Sequence, residues 1–176
     1  MLLVDSINHH TQAVRLLQEH FGEKPIVGIE IGTAEGLLTK SLLLYLSNLE
    51  MIYTIDPCLF VPGTEFEASC YDQNWHNDRY NQAVKALAEY PGRYTHLRMT
   101  SDEAVKVTPE VVDWVWVDGD HSRAQVIKDI ENYYPKVKVG GIFGGHDAQI
   151  ALPLVRERVK EEVVEGVELT WWCIKH

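Results

Sequence analysis

Short β-branched and aliphatic runs alternate along the chain with stretches whose apolar residues recur at helical spacing. The runs predict strands at 25–31, 51–56, 94–99, 111–118, 140–147 and 167–175. The stretches between them predict helices at 37–49, 78–90, 123–134 and 150–164. This alternation is typical of right-handed crossovers between parallel strands. It predicts an α/β fold with a doubly wound, mostly parallel sheet of about six to seven strands and helices on both faces.

Two segments interrupt the alternation. Residues 1–22 are amphipathic and predict a helix that caps the domain before the first strand. Residues 57–76 form a long loop without a strong period, and their aromatic side chains argue against disorder. We expect this loop to act as a lid or a substrate wall. Because no repeat or Pro/Gly/Ser-rich linker divides the chain, residues 1–176 predict a single domain.

The formal net charge of −10 limits the class of partner. An acidic surface repels phosphate backbones and the basic residues are scattered, so we expect a small-molecule partner and no nucleic acid. No apolar run is long enough to span a bilayer, the N-terminus turns polar too early for a signal peptide, and three cysteines give no disulfide framework. These features predict a cytoplasmic protein with no membrane partner, and assembly into a homo-oligomer stays open.

Glycines follow the first predicted strand. In the segment GIEIGTAEG, Glu30, Gly32 and Gly36 span the end of the strand and the start of the next helix. Gly32 can adopt backbone angles closed to other residues, and the helix N-terminus offers unpaired N–H groups to an anionic group. The G-x-x-x-G spacing differs from the G-x-G-x-x-G of dinucleotide binders, because Ala34 stands where the second glycine would be. A turn that serves packing alone is the competing interpretation.

An acid ends the second predicted strand. Asp56 lies 24 residues after Gly32, where an α/β nucleoside site keeps the carboxylate that binds the ribose hydroxyls. A carboxylate can accept two hydrogen bonds from a vicinal diol. Alone before Pro57, Asp56 would indicate turn chemistry. Together with the glycine turn it predicts a nucleoside site.

At these positions the chain resembles the class I S-adenosylmethionine-dependent methyltransferases, which have a Rossmann-like fold. The pattern Glu30-x-Gly32-x-x-x-Gly36 is similar to their first motif, and Asp56 is similar to their ribose-binding acid. The stretch VDWVWVDGDHSRAQVIKDIENYYPKVKVGGIFGGHDA resembles a subgroup whose fourth strand ends in DGDHS and whose fifth ends in GGHD or GDD. That subgroup includes O-methyltransferases of sugars, macrolides and catechols, and a cephalosporin hydroxylase-like branch. The resemblance covers roughly residues 25–150.

The resemblance implies S-adenosylmethionine lying across the strand ends, with its methionine part over the glycine turn, its ribose on Asp56 and its adenine near the turn at 118–121. The residues implied as cofactor contacts are Glu30, Gly32, Thr33, Gly36, Asp56, Thr100, Ser101 and Asp118. The sequence departs from the family at its end. There the usual final pair of antiparallel strands is reduced to one strand, at 167–175.

Polar residues follow the fourth and fifth predicted strands. Several relatives hold a divalent cation with an acid after the fourth strand and a pair of residues after the fifth. The matching positions here imply a Mg²⁺ or Mn²⁺ site at Asp118 or Asp120 with His146 and Asp147. In the competing interpretation, Asp118 and Asp147 cap helices, and His121 and His146 fill polar pockets.

The implied reaction transfers the sulfonium methyl group to a hydroxyl oxygen of a small molecule of sugar, phenol or natural-product type. His146 or His121 would take the hydroxyl proton, and His146 is preferred because it follows the fifth strand on the acceptor side. Asp118 completes this catalytic group. The alternatives are a cofactor-binding protein without catalysis, and another nucleotide-dependent or metal-dependent, oxygenase-like enzyme on the same fold.

Overall fold

A computed structural model describes residues 9–61 and 71–176. Two parts of the sequence prediction lie outside the described residues, namely residues 1–8 of the predicted first helix and residues 62–70 of the predicted lid. The helices are α1 (His9–Phe21), α2 (Leu37–Tyr45), α3 (Gln73–Leu87), α4 (Ser101–Ala104), α5 (Arg123–Tyr133) and α6 (Ala148–Arg158). The strands are β1 (Ile26–Ile31), β2 (Leu49–Ile55), β3 (Tyr94–Leu97), β4 (Val112–Val117), β5 (Val137–Gly145), β6 (Val164–Glu165) and β7 (Trp171–Ile174). A short 3₁₀ helix (Tyr134–Lys136) joins α5 to β5. Within the described ranges, no helix is both long enough and apolar enough to cross a membrane.

The strands form one seven-stranded sheet in the order β3-β2-β1-β4-β5-β7-β6. The first five strands are parallel, whereas β7 pairs antiparallel with both β5 and β6. The strand order changes direction between β1 and β4, and doubly wound sheets bind their ligands outside the carboxyl ends of the strands at such a point. The predicted fold class is confirmed, and the topology fixes where a ligand site is expected.

Alternation along the central strands builds two apolar layers, one on each face of the sheet. On β4, Trp114 and Trp116 pack with α1 and α2, whereas Val115 and Val117 pack with α5 and α6. All four side chains are buried. Successive side chains of a strand point to opposite faces, so a continuous apolar run marks a strand covered on both sides. This rigid centre holds the ends of β1 and β4 in fixed positions.

The sequence prediction is wrong at the C-terminal end of the sheet. Two antiparallel strands are present, β6 and β7, where one strand was expected at 167–175. The predicted helix at 150–164 is also wrong at its end, because α6 stops at Arg158 and Val164 belongs to β6. A strand of two exposed residues carries no alternating pattern that a sequence could show, and only its pairing with β7 defines it.

The start of α3 corrects a second boundary. The helix begins at Gln73 instead of residue 78, so residues 73–76 of the predicted lid are helical. Asp72 is its N-cap, and the Asp72 carboxylate accepts a hydrogen bond from Trp75 N–H at 3.0 Å. This cap satisfies one of the unpaired N–H groups of the first turn. The described part of the predicted lid is therefore anchored on a helix at its far end.

Candidate active site

The turn after β1 brings the chain close to the end of β4. Gly32 has a φ of 93°, and its N–H donates to Ile55 O at 2.8 Å. A Cβ atom on Gly32 would lie 1.8 Å from the carbonyl oxygen of Asp118, so only glycine fits. Gly36, with a φ of 78°, is the N-cap residue of α2 and lies beside Ala83 of α3. The structure therefore places the first motif and the DGDHS segment in contact.

Asp56 ends β2 directly beside this turn. Its Oδ2 accepts a hydrogen bond from Ala34 N–H at 2.8 Å, and its Oδ1 accepts one from Cys58 N–H at 2.7 Å. Both donors are non-glycine residues in the left-handed region, with φ values of 48° for Ala34 and 44° for Cys58. Such residues are costly and cluster at functional sites. Each carboxylate oxygen keeps a second acceptor position, so Asp56 is oriented and can still accept two hydroxyl groups.

Glu30 lies beneath the glycine turn and is 1% exposed. Its Oε2 accepts a hydrogen bond from Thr39 and a second from Thr54, the latter at 3.2 Å. Thr54 also contacts the hydroxyl of Thr33 in the turn. Burial raises the pKa of Glu30 to about 8, against the opposing effect of the two threonine hydroxyls. Glu30 therefore supports the predicted cofactor contact Thr33 from below. The threonines of β2 and α2 gave no signal in the sequence.

The predicted adenine-side residues open α4. Thr100 caps the helix in a reciprocal pair with Glu103. Ser101 Oγ donates to Asp129 Oδ1 at 2.6 Å and accepts from Gln125 Nε2 at 3.0 Å. Burial raises the pKa of Asp129 to about 6. Asp129 and Gln125 lie on α5, and their hydrogen bonds hold the Ser101 side chain at the start of α4. These two residues were not identified from the sequence.

Four ionisable side chains meet at the ends of β4 and β5. His121 Nε2 lies 3.0 Å from Asp147 Oδ2 and 3.9 Å from Asp118 Oδ1. His146 Nδ1 lies 3.2 Å from Asp147 Oδ2 and 3.6 Å from Asp118 Oδ1. Two carboxylates thus face two imidazoles. They line a cleft with the apolar side chains of Val126, Ile150 and Ala151.

The ligand atoms that could hold a metal ion differ from the predicted set. Among the described residues, the atoms of Asp118, His121 and Asp147 all lie within 4.8 Å of one another. Asp120 also lines the cleft, but it is not part of this group, and its Oδ1 accepts the backbone N–H of Ser122 at 2.7 Å. Ser122 in turn caps α5, because its hydroxyl accepts the backbone N–H of Gln125. Within the part of the chain that the structure describes, the group therefore contains His121 and lacks the predicted ligands Asp120 and His146.

The carboxylates favour the charged form of His146. The nearby Asp147 carboxylate raises the pKa of His146, partial burial opposes this rise, and Asp118 and the backbone of Glu168 add to it. The backbone carbonyl of His146 accepts from Trp171 Nε1 at 2.7 Å. A protonated imidazole donates hydrogen bonds and cannot take a proton. The side chain of His121 is more accessible, 37% exposed against 19% for His146.

Strained backbone surrounds this cluster. Asp147, Glu168 and Leu169 have φ values of 52°, 49° and 62°, although none of them is glycine. Leu169 O accepts the N–H of Ala148, the first residue of α6, at 2.8 Å. The turn between β6 and β7 therefore lies against the segment that carries His146 and Asp147. Conformations of this kind persist only where the surroundings fix them.

Helix α3, which begins inside the predicted lid, contacts the glycine turn. Arg79 Nε lies 2.8 Å from Glu35 Oε1, and its guanidinium lies 4.5 Å from the ring centre of Trp75. Tyr71 stacks on the same indole at 4.1 Å. His76, another histidine of the predicted lid, is 7% exposed and packs edge-on against Trp75. The structure places His76 away from Asp118 and Asp147, in the packing of α3.

The sequence matches the model of a family described as "Methyltransferase domain" over residues 29–148. No curated protein matches the chain significantly. The matched range begins in β1 and ends at the first residue of α6, so it contains the glycine turn, Asp56 and the four-residue cluster.

Solved structures share the fold at low sequence identity. An O-methyltransferase from Bacillus cereus in complex with SAH is 14% identical with a TM-score of 0.65, over 99% of this chain and 84% of that one. TomG from Streptomyces achromogenes, an O-methyltransferase involved in tomaymycin synthesis and solved with SAM, is 13% identical with a TM-score of 0.65, over 97% and 82%. The SAH-bound methyltransferase PaMTH1 of Podospora anserina is 11% identical with a TM-score of 0.68, over 95% and 78%.

Proposed function

Since the chain belongs to the methyltransferase-domain family, we propose that it transfers a methyl group from S-adenosylmethionine to a hydroxyl oxygen of a small molecule. The membership confirms the resemblance inferred from the sequence. Three structural neighbours are described as binding SAM or SAH, and two of these are named O-methyltransferases. These descriptions support the cofactor and the type of acceptor atom.

The observation that carries the proposal is the geometry of Asp56. Its carboxylate is oriented by two backbone N–H groups and retains acceptor positions on both oxygens. A ribose diol bound there would place the rest of the cofactor along the turn that begins at Gly32. The left-handed conformations of Ala34 and Cys58 support a ligand site instead of a turn that serves packing alone.

The acceptor side follows from the contact between β1 and β4. Because the chain at Gly32 lies against the carbonyl of Asp118, a methionine group over the glycine turn would present its methyl group near the Asp118 side chain. Holding donor and acceptor at reacting distance supplies much of the rate of such a transfer. The cleft combines two carboxylates with apolar residues of α5 and α6, which favours an uncharged hydroxylated acceptor of sugar, phenol or natural-product type.

A divalent cation fits the donor set of this cleft. Asp118, Asp147 and His121 offer two oxygens and one nitrogen, a combination that suits Mn²⁺ better than Mg²⁺. Asp147 Oδ2 is buried and receives no well-directed hydrogen bond from a described residue. A bound cation would lower the pKa of an acceptor hydroxyl, so that it loses its proton at neutral pH. His146 Nδ1 lies 3.2 Å from Asp147 and 3.6 Å from Asp118, so its side chain would orient both carboxylates.

Thermal unfolding with S-adenosylhomocysteine, with NAD and without ligand tests the proposal. At about one hundred times its dissociation constant, a ligand adds about 2.7 kcal/mol of stability. We expect a rise in melting temperature with S-adenosylhomocysteine and none with NAD. A rise with NAD alone would overturn the proposal. Binding of S-adenosylhomocysteine without methyl transfer to any of a panel of sugars and phenols would support the non-catalytic alternative.

The cation is tested separately by methyl transfer with and without a chelator, together with metal analysis of the purified protein. Activity that is lost on chelation and restored by Mn²⁺ is the expected result. Activity indifferent to chelation would leave an imidazole of the cluster, His146 or His121, as the base. Four expectations from the sequence stay predictions: a cytoplasmic location, a single domain, no nucleic-acid or membrane partner, and assembly into a homo-oligomer.

A further inference from the structure

The side chain of Gln73, at the start of α3, binds the backbone of the loop that follows β2. Gln73 Nε2 donates to Cys58 O at 3.0 Å, and Gln73 Oε1 accepts from Phe60 N–H at 3.0 Å. An amide that donates to one residue and accepts from the residue two positions later imitates the edge of a neighbouring strand. The loop conformation at 58–60 therefore depends on a residue of another element.

Two further side chains complete this contact. Arg98 Nη2 donates to the same Cys58 carbonyl at 3.3 Å. Asn77 Oδ1 accepts from Gln73 Nε2 at 3.1 Å and from Arg98 Nη2. Arg98 also stacks on Tyr80, at 4.4 Å from the ring centre. Gln73 thus bonds the loop backbone at two positions, Cys58 and Phe60, whereas Arg98 bonds it at Cys58.

The conformation that this contact holds is an unfavourable one. Cys58 has a φ of 44°, in the left-handed region that disfavours residues with a Cβ atom. In that conformation its N–H points at Asp56 Oδ1 at 2.7 Å. The orientation of this N–H is set by the peptide group between Pro57 and Cys58. If the loop at 58–60 were released, rotation at Pro57 would turn that peptide group and take the N–H away from the carboxylate. Asp56 would then keep only the donor from Ala34.

We propose that Gln73 is a positioning residue for the ribose-binding carboxylate. It holds the backbone at Cys58 and Phe60 in place, so that the Cys58 N–H stays on Asp56 and both carboxylate oxygens remain oriented for the cofactor. The inference rests on the proposed function, because it takes Asp56 to bind the ribose hydroxyls.

A double-mutant cycle measured by calorimetry with S-adenosylhomocysteine tests this role. Binding to the wild-type protein is measured first, because its absence would refute the proposed function and this inference with it. Where the wild type binds, we expect Gln73→Ala to weaken binding about tenfold, the scale of one hydrogen bond to a charged group. Gln82→Ala is the matched control, since Gln82 lies exposed on the same helix. It should change the affinity by less than about twofold.

The cycle separates positioning from a general structural effect. In an Asp56→Ala background, Gln73→Ala should weaken binding no further, because the carboxylate through which it acts is gone. Losses that add, or wild-type affinity in Gln73→Ala, would overturn the assignment while leaving the proposed function intact. In steady-state kinetics, KM for S-adenosylmethionine should rise while kcat at saturation stays constant.

A second variant covers the case in which Gln73→Ala folds poorly. Gln73→Glu keeps the acceptor for Phe60 N–H but loses the donor to Cys58 O. It should weaken S-adenosylhomocysteine in the same direction, and the loss should again vanish in the Asp56→Ala background. Wild-type affinity in this variant would equally overturn the assignment.

Discussion

Replacing Glu30 by glutamine would test the energetic role of the buried carboxyl under the glycine turn. The amide has the shape of the carboxyl group, and its oxygen can accept the same hydrogen bonds from Thr39 and Thr54. Burial raises the pKa of Glu30 from its ordinary value of 4.5 to about 8. Below pH 4.5 the group is protonated in both the folded and the unfolded chain, so it gives no pH dependence there.

Between pH 4.5 and about 8, the unfolded chain loses this proton while the folded chain keeps it. Stability is therefore lost as the pH rises through this window and levels off above it. Since one pKa unit equals about 1.36 kcal/mol, the loss from Glu30 reaches about 3 kcal/mol at pH 7. Glutamine has no such proton, so the stability of the variant relative to wild type should rise by about 3 kcal/mol between pH 4.5 and pH 7.

Urea unfolding of both proteins at several pH values between 4.5 and 8.5 measures this difference, and the contributions of all other titrating groups cancel. Glu50→Gln is the matched control, because Glu50 is an exposed glutamate on β2. A difference in unfolding free energy between wild type and Glu30→Gln that does not change with pH would refute the reasoning. So would a variant that becomes less stable relative to wild type as the pH rises.

Three further substitutions test the turn, the cluster and the strained hairpin. Gly32→Ala should lower stability by about 2–4 kcal/mol and weaken S-adenosylhomocysteine, because its Cβ would lie 1.8 Å from a carbonyl oxygen at the end of β4. Gly22→Ala shares a positive φ but meets nothing within 4 Å, so an equal loss there in urea unfolding would contradict the clash. Asp147→Asn should weaken Mn²⁺ binding at least about tenfold in calorimetry, whereas Asp120→Asn should not, and equal losses would remove Asp147 from the ligand set. Leu169→Gly should raise the unfolding free energy by about 1 kcal/mol by relieving a φ of 62°, and unchanged stability would show that the turn carries no strain.

Much of the site could be predicted from the sequence because its signals are local. Apolar runs mark strands wherever both faces are covered, and parallel strands bring their carboxyl ends to one edge. Residues that follow those runs, such as Gly32, Asp56 and Asp118, therefore had to lie near one another. The structure brings Gly32 against Asp118 and places Asp56 beside the same turn.

The tertiary structure decided the contacts that no local pattern encodes. Glu30 meets Thr39 and Thr54 only because β1, β2 and α2 pack together, and that burial sets its pKa. Gln73 reaches Cys58 only because α3 starts earlier than its apolar period indicated.

The same distinction separates His121 from Asp120. Both follow β4, and the resemblance implied Asp120 instead of His121 as a partner of Asp147 at the metal site. The backbone N–H of Ser122 binds the Asp120 carboxylate, and this local bond leaves His121 to reach the cluster. The periodicity of the sequence determined which strand ends carry the functional residues. Only the folded chain decided which side chains face one another, because the hydrogen-bond partners that compete for them come from segments far apart in the sequence.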